Sequence, residues 1–206
     1  IDSDACIISI PLECGYNVFD FASKIYVGLL KRGFLSRGFI TIGGIRHKNN
    51  QCYGPAYLEI ARLEKERKIS EPLIICTPSF CEVAANWKYK EPKLSYILDE
   101  KNLGCKVVAP LADYYQFECS VPERIIPVSF IEDMLNTKAI INQNVCTYVL
   151  EEKPRQKWVY MDHFINNQLD LLGIPNFDNY IDSLKPRLSA LKLPSKEFPY
   201  ISKLLI

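Results

Sequence analysis

Apolar positions along the chain change period several times, and each change predicts an element. Residues Ala5 to Pro11 (ACIISIP) form a short continuous apolar run, which reads as a buried strand. Val18, Phe21, Ala22, Ile25 and Leu29 then recur at helical spacing. Asn17 is the expected N-cap of that helix with Asp20 at N3, and Gly33 after Lys31-Arg32 is the expected stop. Phe34 to Ile45 is rich in β-formers and reads as a strand broken at Gly43-Gly44, followed by a polar hairpin tip from Arg46 to Asn50 and a return at Gln51-Cys52-Tyr53. Gly54-Pro55 opens a second helix bearing Leu58, Ala61, Arg62 and Lys65, whose interleaved Glu59, Glu64 and Glu66 suit an exposed face.

The second half continues the alternation. Leu73 to Cys76 reads as a buried strand, Thr77-Pro78 caps a helix carrying Phe80, Val83, Ala84 and Trp87, and Lys106 to Leu111 and Tyr114 to Phe117 give β signals. Ser129-Phe130-Ile131-Glu132 has the form of a capping box opening a short helix. Trp158, Met161, Ile165, Leu169 and Leu172 then share one helical face ended by Gly173, and a tail with Pro175, Pro186, Pro194 and Pro199 is expected to pack as short helical turns. These elements predict an α+β fold in which residues 1–150 form the main domain and residues 151–206 a helical extension packed on it.

Composition narrows the functional classes. Lys+Arg is 25 against Asp+Glu 24 in 206 residues, a balance that argues against binding nucleic acid or acidic membrane through bulk charge. A hydrophobic fraction of 48% is that of a globular chain, and no apolar run approaches the roughly 18 residues a membrane helix needs. The chain opens with acids and no basic leader, and its eight cysteines sit inside apolar runs, as Cys6, Cys76 and Cys146 do. Together these predict reduced thiols serving as small hydrophobes in a cytoplasmic protein. Cys76 and Cys81 are the one close pair, short of the four ligands of a structural zinc site.

Three features carry candidate chemistry. Asp2 and Asp4 flank Ser3 before the first apolar run, and carboxylates at i and i+2 of a strand share a face roughly 7 Å apart, a spacing suited to a hard divalent cation. The same triplet is also an ordinary solvated turn. Arg62 lies about two turns into the Gly-Pro helix, where a planar guanidinium can meet a polyphosphate or simply face water. Arg37 and Thr41 belong to the strand that precedes the hairpin. His47, between Arg46 and Lys48, reads as solvent-facing, and His163, beside Phe164, as a packing residue. Arg46, Lys48, Tyr53 and Tyr57 read as a wet hairpin beside a helix rather than a base-stacking patch, and Tyr114-Tyr115 as a strand pair.

Taken together, the order of acidic strand, helix, Arg37-Gly38-Phe39-Ile40-Thr41-Ile42-Gly43, hairpin, and Gly54-Pro55-Ala56 through Ala61-Arg62-Leu63-Glu64 resembles the catalytic domain of class III nucleotide cyclases. It looks closest to the bacterial branch that includes the pyrimidine cyclases of the Pycsar anti-phage system, and Lys157-Trp158 is similar to a tryptophan-bearing helix late in those proteins. The likeness covers residues 1 to about 80 by motif. It implies a ferredoxin-like fold with a mixed, mainly antiparallel sheet and a helical C-terminal cover. It implies conversion of a nucleoside triphosphate, UTP or CTP, to a 3′,5′-cyclic nucleotide and pyrophosphate with two Mg²⁺ or Mn²⁺ ions. Asp4, with Asp2, would hold metal, Arg62 would stabilise the transition state, and Arg37 and Thr41 would line the nucleotide cleft. A head-to-tail homodimer would share its sites.

Three departures from that pattern matter, one being that Gly44 and the hairpin tip carry no acidic base-reading residue, which leaves the base preference open. Leu58 stands where the better-known cyclases carry a ribose-orienting asparagine, and an earlier Phe-x-Asp-x-x-Gly strand, bearing the first metal aspartate, is not among these residues. The expectation is a piece of a longer protein. The alternative is a cyclase-like protein that senses nucleotide or acts as a scaffold without catalysis.

Overall fold

The structure, a computed structural model, describes residues 6–48, 51–66, 70–87, 96–112 and 126–205. Its first helix, α1 (Asn17–Leu30), follows a single 3₁₀ turn at Leu12–Cys14. The expected Asn17 cap is not made: Tyr16 occupies the N-cap position without a side-chain bond, and Asp20 pairs instead with Lys24 at 2.6 Å. The other end is as expected. Gly33 sits at φ +81°, Phe34 N–H donates to the Leu29 carbonyl and Gly33 N–H to that of Leu30, a Schellman termination only glycine enters without strain. The buried face of α1 is Phe19, Ser23, Tyr26, Val27 and Leu30, whereas Phe21 and Ile25 are exposed. The helix is apolar around most of its circumference, so periodicity marks a helix without marking which stripe is inward.

Strands β1 (Gly38–Ile40), β4 (Ile74–Cys76), β5 (Ile97–Glu100) and β6 (Cys105–Val108) form one sheet in the order β1-β4-β6-β5, and β2 (Arg46–Lys48) and β3 (Gln51–Tyr53) pair as a separate antiparallel ribbon. β1 is parallel to β4, while β4–β6 and β6–β5 are antiparallel, so the sheet is mixed and the fold is α+β. The strand expected over Phe34–Ile45 shrinks to its three central residues. Arg46, His47 and Lys48, expected at a hairpin tip, are themselves paired opposite Tyr53, Cys52 and Gln51. Residues 6–11 form no strand, and Ile7 and Ile8 are exposed. A continuous apolar run cannot by itself supply a ladder partner, and none pairs with this segment among the described residues. The Tyr114–Phe117 signal lies outside the described residues.

Helices α2 (Pro55–Glu66) and α3 (Pro78–Ala84) follow β3 and β4, and the C-terminal part is helical: α4 (Val128–Thr147), α5 (Glu152–Leu171), α6 (Phe177–Ala190) and α7 (Pro199–Leu204). The α5 stripe is as its spacing predicts, with Trp158, Met161, Ile165, Leu169 and Leu172 all buried, and Leu169 and Ile174 close a second Schellman motif around Gly173. The tail is more regular than four prolines suggest, since Pro186 lies inside the continuous helix α6. The capping box at Ser129 is absent. Helix α4 is long rather than short, starts at Val128, and its Glu132 carboxylate reaches across the molecule to accept the backbone N–H groups of Tyr200 at 2.7 Å and Ile201 at 2.8 Å. Two unpaired donors at the start of α7 outcompete one local donor at the start of α4.

One contiguous core joins these layers, running from Phe19 on α1 through Ile75 and Val107 of the sheet to Met134, Met161 and Ile201. The Tyr26 hydroxyl donates to the Pro72 carbonyl and lies 3.4 Å from Met161 Sδ, tying α1 to β4 and α5, and its burial raises the phenol well above its ordinary pKa. Gln168 accepts the Leu111 N–H at 3.0 Å, supplying the sheet's exit with a buried acceptor. Lys31 meets Asp133 and Lys138 meets Asp162, joining α1 to α4 and α4 to α5. Among the described cysteines only Cys76 is buried, and Cys6, Cys14 and Cys146 are exposed, which corrects the expectation that all are core residues. No helix is long and apolar enough to cross a membrane among the described residues.

Candidate functional site

The parallel register of β1 and β4 sets up the site. Ile40 lies beside Cys76, so the next residues, Thr41 and Thr77, leave the sheet together at the carboxyl ends of the strands. Thr77 N–H donates to the Ile40 carbonyl at 2.9 Å, and Thr77 Oγ1 donates to Thr41 Oγ1 at 3.2 Å. Thr77 also N-caps α3, accepting the Phe80 N–H at 3.2 Å, and its hydroxyl lies 2.9 Å from that of Ser79. The carboxyl ends of parallel strands are where open α/β sheets bind ligands.

Helix α2 closes over this edge because two backbones approach at glycine. Gly54 has φ +136°, and a Cβ there would stand 2.4 Å from the Gly44 carbonyl oxygen. Ala56 N–H reaches the same Gly44 carbonyl at 3.4 Å. So placed, α2 delivers Glu59 to Thr41, whose hydroxyl donates to Oε2, and Glu64 to Arg37, whose Nη2 lies 3.3 Å from Oε1. Arg62 points along the same helix toward Glu66, with Nε 3.9 Å from Oε1 and 65% of its side chain exposed.

Arg37 and Thr41 are therefore both joined to α2, and Arg62 rides on that helix without contacting either in the described bonds. Asp2 and Asp4 lie outside the described residues. The segment that follows them reaches the hairpin that precedes α2: Ser9 Oγ lies 3.0 Å from His47 Nε2, and Cys52 Sγ lies 3.8 Å from the same nitrogen. His47 is solvent-facing, as expected, and His163 is exposed rather than packed. Arg46, Lys48, Tyr53 and Tyr57 are all exposed. Leu58 is 67% exposed and offers no polar atom to this surface.

The sequence marks Glu59 as part of an exposed helix face and Thr77 as a helix cap, but gives neither of them, nor Ser79, a part in the site. Their signal is positional: Thr77 follows β4 as Thr41 follows β1, and Glu59 lies one turn before Arg62. Among the described residues, no group of three or more His, Cys, Asp or Glu side chains is arranged to hold a metal ion. Glu59, Glu64 and Glu66 are engaged by Thr41, Arg37 and Arg62 respectively. Comparison with family models, with curated proteins and with solved structures finds no match to this chain.

Proposed function

We propose that this chain is the catalytic module of a cytoplasmic nucleoside triphosphate cyclase with the ferredoxin-like class III fold. In this reading it converts UTP or CTP to a 3′,5′-cyclic nucleotide and pyrophosphate as a signal in anti-phage defence. The sequence likeness supports the substrate and the biological setting. The observation that carries the proposal is the pair of bonds, Thr41 to Glu59 and Arg37 to Glu64, by which the Arg-Gly strand and the Gly-Pro helix meet at one sheet edge.

The chemistry asked of the protein's own cations is modest in cost. Arg37–Glu64 and Arg62–Glu66 are exposed ion pairs. Such pairs contribute about 0.2–1 kcal/mol each, whereas a hydrogen bond to a charged group contributes about 1.5–3 kcal/mol. A triphosphate that takes either guanidinium therefore displaces a weak partner for a stronger one. Arg62 would donate to the α-phosphoryl oxygens as the ribose 3′-oxygen attacks in line and pyrophosphate departs. Magnesium or manganese, carried in this proposal by Asp4 with Asp2, would neutralise the triphosphate, since carboxylate oxygens suit hard cations. The described carboxylates do not assemble such a centre. A second copy of the chain, lying over the exposed Tyr57 and Leu58 of α2, would complete the shared site of a homodimer.

Leu58 favours a second reading, a protein that binds nucleotide as a sensor or scaffold without turning it over. The full protein incubated with each of the four NTPs and Mn²⁺ separates the two. Cyclic product and pyrophosphate support the enzyme, whereas binding without product supports the sensor. Arg62→Ala should lower turnover by about two to three orders of magnitude, about 3–4 kcal/mol, with an unchanged unfolding midpoint. Full activity in that variant removes Arg62 from the mechanism.

A further inference from the structure

A groove of about 690 Å³ is bounded by β4, α3, β5 and β6 and lined by Cys76, Cys81, Cys105, Asp99, Lys106 and Glu82 among others. Cys76 ends β4 and is buried, and Cys81 lies on the helix that leaves it, its N–H bonded to the Thr77 carbonyl at 3.0 Å, with its side chain half-buried. Both thiols line this one groove, close enough for each to influence the other's titration. Lys106, directly opposite Cys76 in the β4–β6 register, favours the Cys81 thiolate, and Asp99 opposes it.

We propose that Cys76 and Cys81 are a dithiol modification site, which a low-molecular-weight disulfide oxidises to an intrachain Cys76–Cys81 bond. The half-buried Cys81 faces the groove and reacts first. Its thiolate attacks the oxidant R–S–S–R, forming a Cys81–S–S–R mixed disulfide and releasing one R–S⁻. The Cys76 thiolate then attacks the Cys81 sulfur and displaces the second R–S⁻. The two protons lost by the cysteines go to the two released thiolates, and the two electrons lost by the protein reduce the oxidant to two R–SH. An added dithiol reverses the sequence. Burial raises both thiols above their ordinary range, so thiolate is scarce at neutral pH and the oxidation is slow there. The rate should keep rising with pH past the ordinary thiol value of 9.0. The bond would tie the end of β4 to α3 next to Thr77, the residue that bonds Thr41 at the candidate site.

The experiment is peptide mapping of the folded wild-type chain after incubation with oxidised glutathione across a pH series, with unreacted thiols trapped by alkylation. The expected product is a Cys76–Cys81 linked peptide, formed faster at higher pH and removed by dithiothreitol. Cys81→Ser should leave Cys76 alkylatable only on unfolding, and Cys76→Ala should stop Cys81 at the glutathione mixed disulfide. The proposal is overturned by a stable Cys81–glutathione adduct in the wild type, by a Cys81–Cys105 bond in its place, or by a Cys76–Cys81 bond that forms only in denaturant. Because the wild-type map alone decides, a variant that fails to fold does not rescue the idea, and cyclase activity plays no part in the readout.

Discussion

Gly54 and Tyr26 show how much a single residue settles in this chain. At Gly54 both the backbone angle and the 2.4 Å approach to the Gly44 carbonyl forbid a side chain. Gly54→Ala should cost about 1–3 kcal/mol in urea denaturation and loosen α2 from Thr41. An unchanged midpoint would show that the hairpin and helix do not need this contact. Tyr26 makes a prediction about alkaline pH. Its folded phenol titrates above the ordinary 10.0, so its contribution to stability is complete below that value. Stability is then lost as pH rises from there toward the folded value, because only the unfolded chain gives up the proton. Denaturation curves on either side of pH 10.0 should show this loss, and Tyr26→Phe should show less of it while costing about 1–3 kcal/mol at neutral pH for the orphaned Pro72 carbonyl. Such residues are only half legible in sequence. A glycine before proline announces a turn, but a close approach between residues ten apart in the chain does not show in any local pattern.

Elements were most readable where burial is one-sided. The α5 stripe and the glycine stops at Gly33 and Gly173 follow directly from spacing, because one face of α5 meets the core and the rest meets water. On α1 the period is just as clear but the inward face is not, and Phe21 and Ile25 are left outside. The cap positions failed for a different reason. Asn17 and Ser129 are good local signals, yet Asp20 is held by Lys24 and Glu132 by the distant start of α7. Glu132→Ala should therefore destabilise the protein by about 2–4 kcal/mol and speed amide exchange at Tyr200 and Ile201 before other sites. Normal protection at those amides would place the anchor of α7 elsewhere. The Thr41–Thr77 contact was illegible in the same sense, since it depends on which strand lies beside β1.

At the scale of the molecule, sheet and C-terminal helices share one core, so the described elements should unfold together. The two tryptophans test this from separate places. Trp87 packs edge-on to Phe19 and Phe80 beside α3, and Trp158 is buried on α5. Met161→Ala should lower stability by about 2–5 kcal/mol. Fluorescence of single-tryptophan variants, Trp87→Phe and Trp158→Phe, should report that loss at one common midpoint, whereas two midpoints would mean that the helical part melts on its own. The α+β layout was visible in the alternation of periods, but the sheet order was not, because strands of three or four residues carry too little pattern to choose neighbours. The grip of Glu132 on α7 has a consequence for how this tail is free to vary. The carboxylate holds main-chain amides, which every residue except proline supplies, so the latch is blind to the side chains at 200 and 201. Substitution can drift through Tyr200 without unfastening the tail, while a proline introduced at either place, or a neutral residue at 132, unfastens it at once.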